Sequence, residues 1–260
     1  MALQTSGLIS LSDVNVELGR AANAPISLDE AAVRNLAGKP TGVISLSDLY
    51  GKAFTFIANV AGGTNVNLRT AANAAGYDGR QFVELTLTTT ATSNSTAIPA
   101  LDLGTWPAGT HLKLVINAYV LGKGGAGGAG GYQRAGYSGG AGGPAIRANA
   151  ISGGTITLVM GGGGRAYGGG GGGGGSGGSR TSHCEPQGGC TYSYGTGAAG
   201  GAGAGPGSQT GNGGGYGGGG GSGSANYYGA GSGGAGGAAL VNTSLCTLVG
   251  WSGNYLGSLS

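Results

Sequence analysis

Glycine at a three-residue spacing dominates the second half of this chain and restricts the folds available to it. Of the 67 glycines, 53 lie between Gly122 and Ala239. A polyproline-II helix has about three residues per turn, so each X-Gly-Gly repeat would align its larger side chains on one ridge and leave two bare faces. The repeat therefore predicts extended glycine helices that approach one another closely through those faces. The larger residues of the repeat are Lys123, Ala126, Ala129 and Tyr132; Ser138, Ala141 and Pro144; and Ser232, Ala235 and Ala238.

Flexible coil is the alternative for such a composition, because ordering glycine costs more backbone entropy than ordering any other residue. Apolar islands argue for order. Residues 145–151 and 155–160 flank Ser152-Gly-Gly154, which predicts a hairpin turn, and residues 238–251 form another apolar stretch. We expect a β core from which the glycine segments loop out and return.

The first fifty residues contain a repeated Ile-Ser-Leu unit that starts at Ile9, Ile26 and Ile44. Each copy places serine three residues before an acid, which is the spacing of a capping box, and each runs to a glycine that can stop a helix. The pattern predicts three helices of about two turns, too short to be stable alone. Residues 1–52 are therefore predicted to be a helical attachment module that docks on a partner or on a second copy. A plain small bundle is the alternative.

Residues 53–121 are predicted to form a β-rich connecting domain. Alternation predicts strands at Phe54–Val60, Phe82–Thr88 and His111–Leu121, and Asn67 and Gly76 bracket a predicted helix over 68–75. The expected core residues are Phe54, Phe56, Phe82, Leu85, Trp106, Leu114, Ile116 and Val120. The expected fold class is thus mixed: a small helical N-terminal module, a β-rich middle, and a glycine-rich tip over 122–260 made of packed polyglycine-II helices with short β-strands.

Charge and residue types disfavour several functions. Only 8% of residues are charged and no basic run occurs, so no nucleic-acid partner is expected. The glycine-rich half has a single acid, Glu185, and the two histidines are His111 and His183, so no catalytic set is recognisable. No apolar run approaches the roughly 20 residues that cross a bilayer, and residues 1–13 lack the basic and apolar regions of a secretory signal, so none is expected. We expect a protein that is not an enzyme and that uses no cofactor or metal.

Tyrosine is concentrated between Gly122 and Ala239, where eight of the twelve lie. Tyrosine offers a large, rigid contact area with a polar end, and glycine helices offer no side chains, so recognition should rest on the loops between them. The chief loop is 180–194; the alternative is that the tyrosines fill gaps between helices. The predicted binding residues are Tyr132, Arg134, Tyr137, Arg165, Tyr167, Arg180, His183, Glu185, Gln187, Tyr192, Tyr194, Asn226, Tyr227 and Tyr228.

Cys184 and Cys190 bracket a loop short enough to close, and Cys246 is the third cysteine. Two free thiols, a local disulfide formed after release, and a metal site with His183 are all compatible with this spacing. The metal site would lack a fourth ligand.

Several stretches resemble proteins of tailed bacteriophages. The Ile-Ser-Leu-Ser-Asp units, ending in Leu46-Ser-Asp-Leu-Tyr-Gly-Lys52, look like the N-terminal modules of tail and fibre proteins. Residues 67–77, 106–109 and 115–125 are similar to a module that precedes glycine-rich ends in such proteins. The glycine half resembles the tip adhesins of T-even-type long tail fibres, in which loops between packed polyglycine-II helices touch a host receptor. The front end departs from those adhesins.

The resemblance implies a virion adhesin that is assembled in the host cytoplasm and acts outside the cell. Its expected partners are a bacterial outer-membrane protein or surface glycan and, through residues 1–52, other virion tail proteins. A homo-oligomer such as a trimer is compatible with the sequence. The alternative function is a structural virion subunit, such as a tail-tip or decoration protein, without receptor contact.

Overall fold

The computed structural model describes residues 3–52, 54–185, 188, 190–205, 214–215, 218–224 and 227–260. Within these residues it is rich in strands and has few helices. The α-helices are α1 (Leu11–Glu17), α2 (Ala31–Ala37) and α3 (Leu68–Ala74). The strands are β1 (Thr55–Val60), β2 (Val66–Asn67), β3 (Phe82–Leu87), β4 (Ala91–Thr92), β5 (Leu101–Asp102), β6 (His111–Ile116), β7 (Tyr119–Leu121), β8 (Ile146–Arg147), β9 (Thr155–Met160), β10 (Arg165–Tyr167), β11 (Ser179–Cys184), β12 (Cys190–Gly195), β13 (Leu240–Val241), β14 (Cys246–Val249) and β15 (Tyr255–Leu256).

All strands except β11 and β12 form a three-sided parallel solenoid. Its sheets have the strand orders β1-β3-β6-β9-β14, β4-β7-β10-β15 and β2-β5-β8-β13, and every pair is parallel. The chain visits the three sheets in the same order in each coil, so neighbours in a sheet come from successive coils. Isolated parallel bridges from Thr64 to Thr92 and from Leu240 to Leu259 extend this pattern to the first and last coils.

Inward side chains stack in ladders through the solenoid. In the first sheet, Leu85, Leu114 and Leu158 occupy one register position in successive coils, and all three are fully buried. Burying each leucine contributes about 1.5–3 kcal/mol, so such ladders are the main stabilising feature of the solenoid. The same apolar core continues through Ile146 and Leu240. Residue 121 is thus the point where glycine begins to dominate, and the core extends well beyond it.

Two predicted elements of the solenoid are wrong, and both errors lie at its corners. The stretch His111–Leu121 is two strands in different sheets, because the chain turns between Ile116 and Tyr119. Ser152-Gly-Gly154 does not close a hairpin, because β8 and β9 lie in different sheets and pair only in parallel. An alternating pattern is the same on both sides of a corner, so it could not reveal either turn.

The other predictions for the middle of the chain agree better with the structure. Asn67 caps α3, its side-chain oxygen accepting from the Thr70 N–H at 3.0 Å. Phe82 instead faces outward, 37% exposed, and stacks on His111 with ring centroids 4.8 Å apart. Phe54 packs against the helical residues that precede it. The predicted core residues that are buried are Phe56, Leu85, Trp106, Leu114, Ile116 and Val120.

Residues 3–52 form a helical module around a separate apolar cluster. Ser10 and Asp13 form the predicted capping box at the start of α1. In the second unit the acid is the N-cap itself: Glu30 precedes α2, and its carboxylate accepts from the Ser27 N–H at 2.9 Å. The bond between Ser27 and Glu30 therefore closes a turn that lies just before the helix. The stop glycines of all three units adopt positive φ: Gly19, Gly38 and Gly51.

The third unit begins a 3₁₀-helix of four residues, Leu46–Leu49, where a two-turn α-helix was predicted. Its capping box joins Ser45 and Asp48. An ion pair with Lys39, Nζ to Oδ1 2.7 Å, together with the Ser45 N–H, lowers the pKa of Asp48 to about 2. The short helix is therefore held by polar contacts on its exposed side and by the buried Leu49 on the other.

Both long glycine-rich excursions leave the solenoid at the same corner, between the second and third sheets. In the second coil residues 93–100 cross this corner; in the third and fourth coils residues 122–145 and 168–239 do so. The described residues of the excursions form six extended segments, here called the glycine bundle. The expected β core with glycine segments that loop out and return is thus confirmed. The segments are 122–131, 135–145, 168–178, 197–205, 218–224 and 229–239.

Main-chain hydrogen bonds join the segments at every third residue. In the third segment (168–178), the N–H groups of Gly169, Gly170 and Gly171 donate to the second, fourth and fifth segments in turn, at 2.8–2.9 Å. The same rotation repeats at residues 172–174 and again at 175–177. The carbonyls of this segment accept from the first and sixth segments, so it lies at the centre of the bundle.

The central segment contains the uninterrupted run from Gly168 to Gly175, and every residue of it is buried. A Cβ added at Gly171 would lie 1.9 Å from the Gly234 carbonyl oxygen, and one at Gly172 would lie 1.8 Å from that of Ala126. Neighbouring backbones therefore leave no room for a side chain on this run. The outer segments instead carry exposed residues on their outer side: Ala126, Ala129, Ser138, Ala141, Ser232 and Ala235.

Candidate functional site

Three connections between glycine segments meet at the end of the bundle far from the solenoid. They are residues 132–134, 179–196 and 227–228, and we call them together the distal surface. The first, third and fifth segments run away from the solenoid and the others return, as the parallel and antiparallel pairings show. Connections after odd-numbered segments therefore all fall at this end.

Gly178 joins the three connections through its main chain. Its N–H donates to the Arg134 carbonyl at 3.1 Å, and its carbonyl accepts from the Tyr228 N–H at 3.2 Å. A further bridge pairs Tyr132 with Thr196. The connections are therefore fixed to one another by backbone bonds, and their side chains share one surface.

The middle connection is a β-hairpin of β11 and β12, where the sequence predicted a loop. The strands are antiparallel, with Arg180 opposite Tyr194 and Ser182 opposite Tyr192. The side chains of both strands are mostly exposed. A paired hairpin presents its side chains in fixed directions, which loses less entropy on binding than a flexible loop would.

Arg180 lies among the tyrosines of this surface. Its guanidinium carbon is 3.8 Å from the centroid of the Tyr192 ring and 4.7 Å from that of Tyr227. Desolvation lowers the pKa of Arg180, but the hydroxyls of Tyr227, Tyr192 and Tyr194 outweigh it, so the pKa is raised above its ordinary value. Tyr227 also meets Tyr228 edge to face, with centroids 5.1 Å apart.

Arg134 and Tyr137 form a second, more local pair. The Arg134 guanidinium lies 4.6 Å from the centroid of the Tyr137 ring. Together with Tyr132, Tyr192 and Tyr227, Tyr137 is at least 46% exposed, so large aromatic faces are open to solvent. Aromatic and arginine side chains supply most hot spots of protein interfaces, which makes this surface suitable for recognition.

Cys184 and Cys190 are joined by a disulfide across the two strands of the hairpin. Their sulfurs are therefore not available as thiolate ligands. His183 lies 3.5 Å from the Glu185 carboxylate, Nε2 to Oε1, and both side chains are exposed. Cys246 lies in β14 of the solenoid, where burial raises the pKa of its thiol to about 11. Among the described residues, no three His, Cys, Asp or Glu side chains are grouped so that they could hold a metal ion.

Four predicted residues are not brought to the distal surface by the described structure. Arg165 and Tyr167 lie in β10 of the solenoid, where the Tyr167 ring meets that of Tyr119 at 6.0 Å. The central segment separates them from Gly178 by roughly 30 Å of extended chain. Gln187 and Asn226 lie outside the described residues.

Sequence reasoning missed the role of the backbone at the distal surface. Neither Gly178 nor Thr196 was among the predicted binding residues, yet their main chains hold the connections together. A signal was present: the chain leaves its longest glycine run just before residue 179, so this run had to end where the hairpin begins.

No helix in the described ranges has the length and apolar character needed to cross a membrane.

Two comparisons with known proteins found a match. The family model described as phage tail fibre adhesin Gp38 matches residues 55–260, starting at the first residue of β1. The crystal structure of the gp37–gp38 adhesin tip complex of the bacteriophage S16 long tail fiber aligns with 88% of this chain and 92% of that chain, at 22% identity and a TM-score of 0.49. No curated protein matches significantly.

Proposed function

The chain belongs to the phage tail fibre adhesin Gp38 family, and we propose that its distal surface binds a receptor on the outer surface of the host bacterium. The observation that supports this is the meeting of three tyrosine- and arginine-bearing connections at one end of the bundle. An adhesin of the phage tail needs a projecting contact surface, and the opposite end of the bundle is occupied by its attachment to the solenoid. The receptor is an outer-membrane protein or a surface glycan.

We infer that the six segments are polyglycine-II helices. Two features support this: their hydrogen bonds recur every third residue, and each segment can bond to several neighbours at once. Such a bundle is a rigid support, because the glycine entropy is lost on folding and not again on binding. The receptor-binding residues are then those of the distal surface: Tyr132, Arg134, Tyr137, Arg180, His183, Glu185, Tyr192, Tyr194, Tyr227 and Tyr228.

Residues 1–52 attach the adhesin to another tail protein of the virion in this proposal. The family match starts only at residue 55, so the helical module is a separate addition to the adhesin. Leu8 and Val43 in this module are 94% and 90% exposed, which is costly unless a partner covers them. Assembly takes place in the host cytoplasm before lysis. A homo-oligomer stays a prediction.

The receptor-binding proposal is tested with the double variant Tyr192→Ala, Tyr194→Ala on intact particles. Each central aromatic contact contributes roughly 2 kcal/mol, which corresponds to about thirtyfold in affinity, so adsorption to host cells should fall at least that far. Tyr119→Ala is the matched control, because Tyr119 is 47% exposed but lies on the solenoid.

The melting temperature of each variant is measured beside adsorption. Loss of adsorption with an unchanged melting temperature supports the proposal. Normal adsorption by the double variant would contradict it and would favour the structural-subunit alternative.

A further inference from the structure

One cation links two connections of the distal surface that are far apart in sequence. Arg180 lies in β11, Tyr192 in β12, and Tyr227 in the connection before the sixth glycine segment. The Arg180 guanidinium is within cation–π distance of both rings, and one of its N–H groups donates to the Tyr227 hydroxyl. This side chain therefore bridges the hairpin and the last connection.

The guanidinium of Arg180 is engaged by these tyrosines and by no carboxylate among the described residues. Among the described residues, one ion pair lies at the distal surface and joins His183 to Glu185. The other ion pairs lie in the helical module and the solenoid. A cation–π contact at an exposed site shifts an equilibrium by about two- to fivefold. Two such contacts on one guanidinium are enough to bias the hairpin toward one orientation.

We propose that Arg180 is a positioning residue, which holds the hairpin against residues 227–228 so that Tyr192 and Tyr227 present one continuous surface. Within the proposed receptor-binding set, Arg180 therefore acts by placing these two rings, and the rings make the contact with the receptor. This rests on the proposed function of the distal surface. A surface that is ordered before binding loses less entropy when the receptor binds, so the ordering by Arg180 raises the affinity for the receptor.

Arg134 supplies a matched control for this idea. It is also an arginine of the distal surface and also stacks on a tyrosine, at 4.6 Å from Tyr137. Tyr137 is only three residues away along the chain, so this pair ties no second connection to the first. Removing either arginine removes one positive charge, but only the loss of Arg180 should uncouple two connections.

The first experiment is hydrogen exchange on the full chain with the variants Arg180→Met and Arg134→Met. The readout is the amide of Tyr228, which donates to Gly178, together with the amides of β11 and β12. Arg180→Met should raise their exchange rates about fivefold or more, and Arg134→Met should not. Arg180→Lys should restore part of the protection because an ammonium keeps the cation–π contact. Equal exchange in wild type and Arg180→Met would overturn the proposal, as would equal effects of the two methionine variants.

The second experiment is a double-mutant cycle on adsorption. Because Arg180 acts through Tyr227, the losses caused by Arg180→Met and Tyr227→Leu should not add, whereas those of Arg180→Met and Tyr132→Leu should. Additive losses for the first pair would overturn the proposal.

The two experiments separate this inference from the proposed function. Exchange needs no receptor, so a response there with normal adsorption of every tyrosine variant would sink the receptor site and keep the positioning role. Unchanged exchange in Arg180→Met, together with lost adsorption in the tyrosine variants, would overturn the positioning role and keep the receptor site. A melting curve for the glycine bundle shows that each variant is folded.

Discussion

At the scale of single residues, glycine has two distinct roles in the bundle. In the outer segments it alternates with residues whose side chains face solvent, such as Ala129 and Ser138. In the central segment almost every position is surrounded, and an added Cβ would meet backbone atoms of a neighbour at about 2 Å, as at Gly171 and Gly174. Glycines of the outer segments also meet a neighbouring backbone at about 2 Å, as at Gly127 and Gly139, so only a glycine with open space around it, such as Gly215, should tolerate a side chain.

The replacement Gly171→Ala tests this difference. The new methyl group would overlap the Gly234 carbonyl, and since that neighbour is backbone it cannot turn aside. We expect a loss of about 3 kcal/mol in the free energy of unfolding, measured by denaturant titration. In Gly215→Ala the methyl group meets nothing within 4 Å, so stability should stay within about 1 kcal/mol of wild type. Similar losses in both variants would show that the bundle is not held as described.

At the scale of elements, the glycine segments are insertions into one corner of a repeating coil. Ala100, Ala145 and Ala239 precede the strands of the third sheet in successive coils, and all three are fully buried. The coil thus resumes the same structure after crossing by residues 93–100, 122–145 or 168–239. The corner closes without the bundle in the second coil, which suggests that the solenoid does not depend on it.

Grafting the short corner onto the other two coils tests this independence. Residues 122–144 and 168–238 are each replaced by the sequence of 93–99. We expect a β-rich protein with one cooperative unfolding transition, followed by circular dichroism, because every sheet keeps its strands and register. The full chain is the control. A grafted chain without cooperative unfolding would mean that the bundle is needed to form the solenoid.

The type of these elements could be predicted from the sequence better than their arrangement. Alternation located β1 and β3, an apolar island located β9, and the three-residue period located the first, second and sixth glycine segments, because all three are local properties of the sequence. The corners at Asn117 and Ser152 could not be found, since a solenoid corner is fixed by the coil above and below it. The hairpin at residues 179–195 escaped for another reason: its strands are polar and exposed on both faces, so they carry no alternation. The predicted binding residues were chosen by residue type, whereas the place where they meet depends on the direction of each glycine segment.

At the scale of the whole molecule, the regions proposed for attachment and for recognition lie in different parts of the chain. The helical module has its own apolar cluster, the solenoid has another, and the distal surface lies beyond the glycine bundle. Phe54 and Phe82 meet where the module adjoins the solenoid, with ring centroids 5.0 Å apart. The family match covers the solenoid and bundle and leaves out the module.

A chain that starts at Thr55 tests this division. The solenoid core is complete without the module, so the truncated protein should fold and keep most of its melting temperature, but it should not be incorporated into particles. The control is the full chain with Tyr192→Ala and Tyr194→Ala, which should be incorporated and yet fail to adsorb. Incorporation of the truncated chain at the normal level would contradict the proposed attachment role of residues 1–52.

The rotation of hydrogen bonds in the central segment also limits how the length of this adhesin can change. Deleting one glycine between Gly169 and Gly177 would turn every later N–H by a third of a turn, toward the wrong neighbour. Only insertions or deletions of three residues, or multiples of three, keep each donor opposite its acceptor. Each such step changes the length of the segment by about 9 Å. Related adhesins should therefore differ in reach by whole steps of this size, while the loops that they carry at the far end are free to differ by any number of residues.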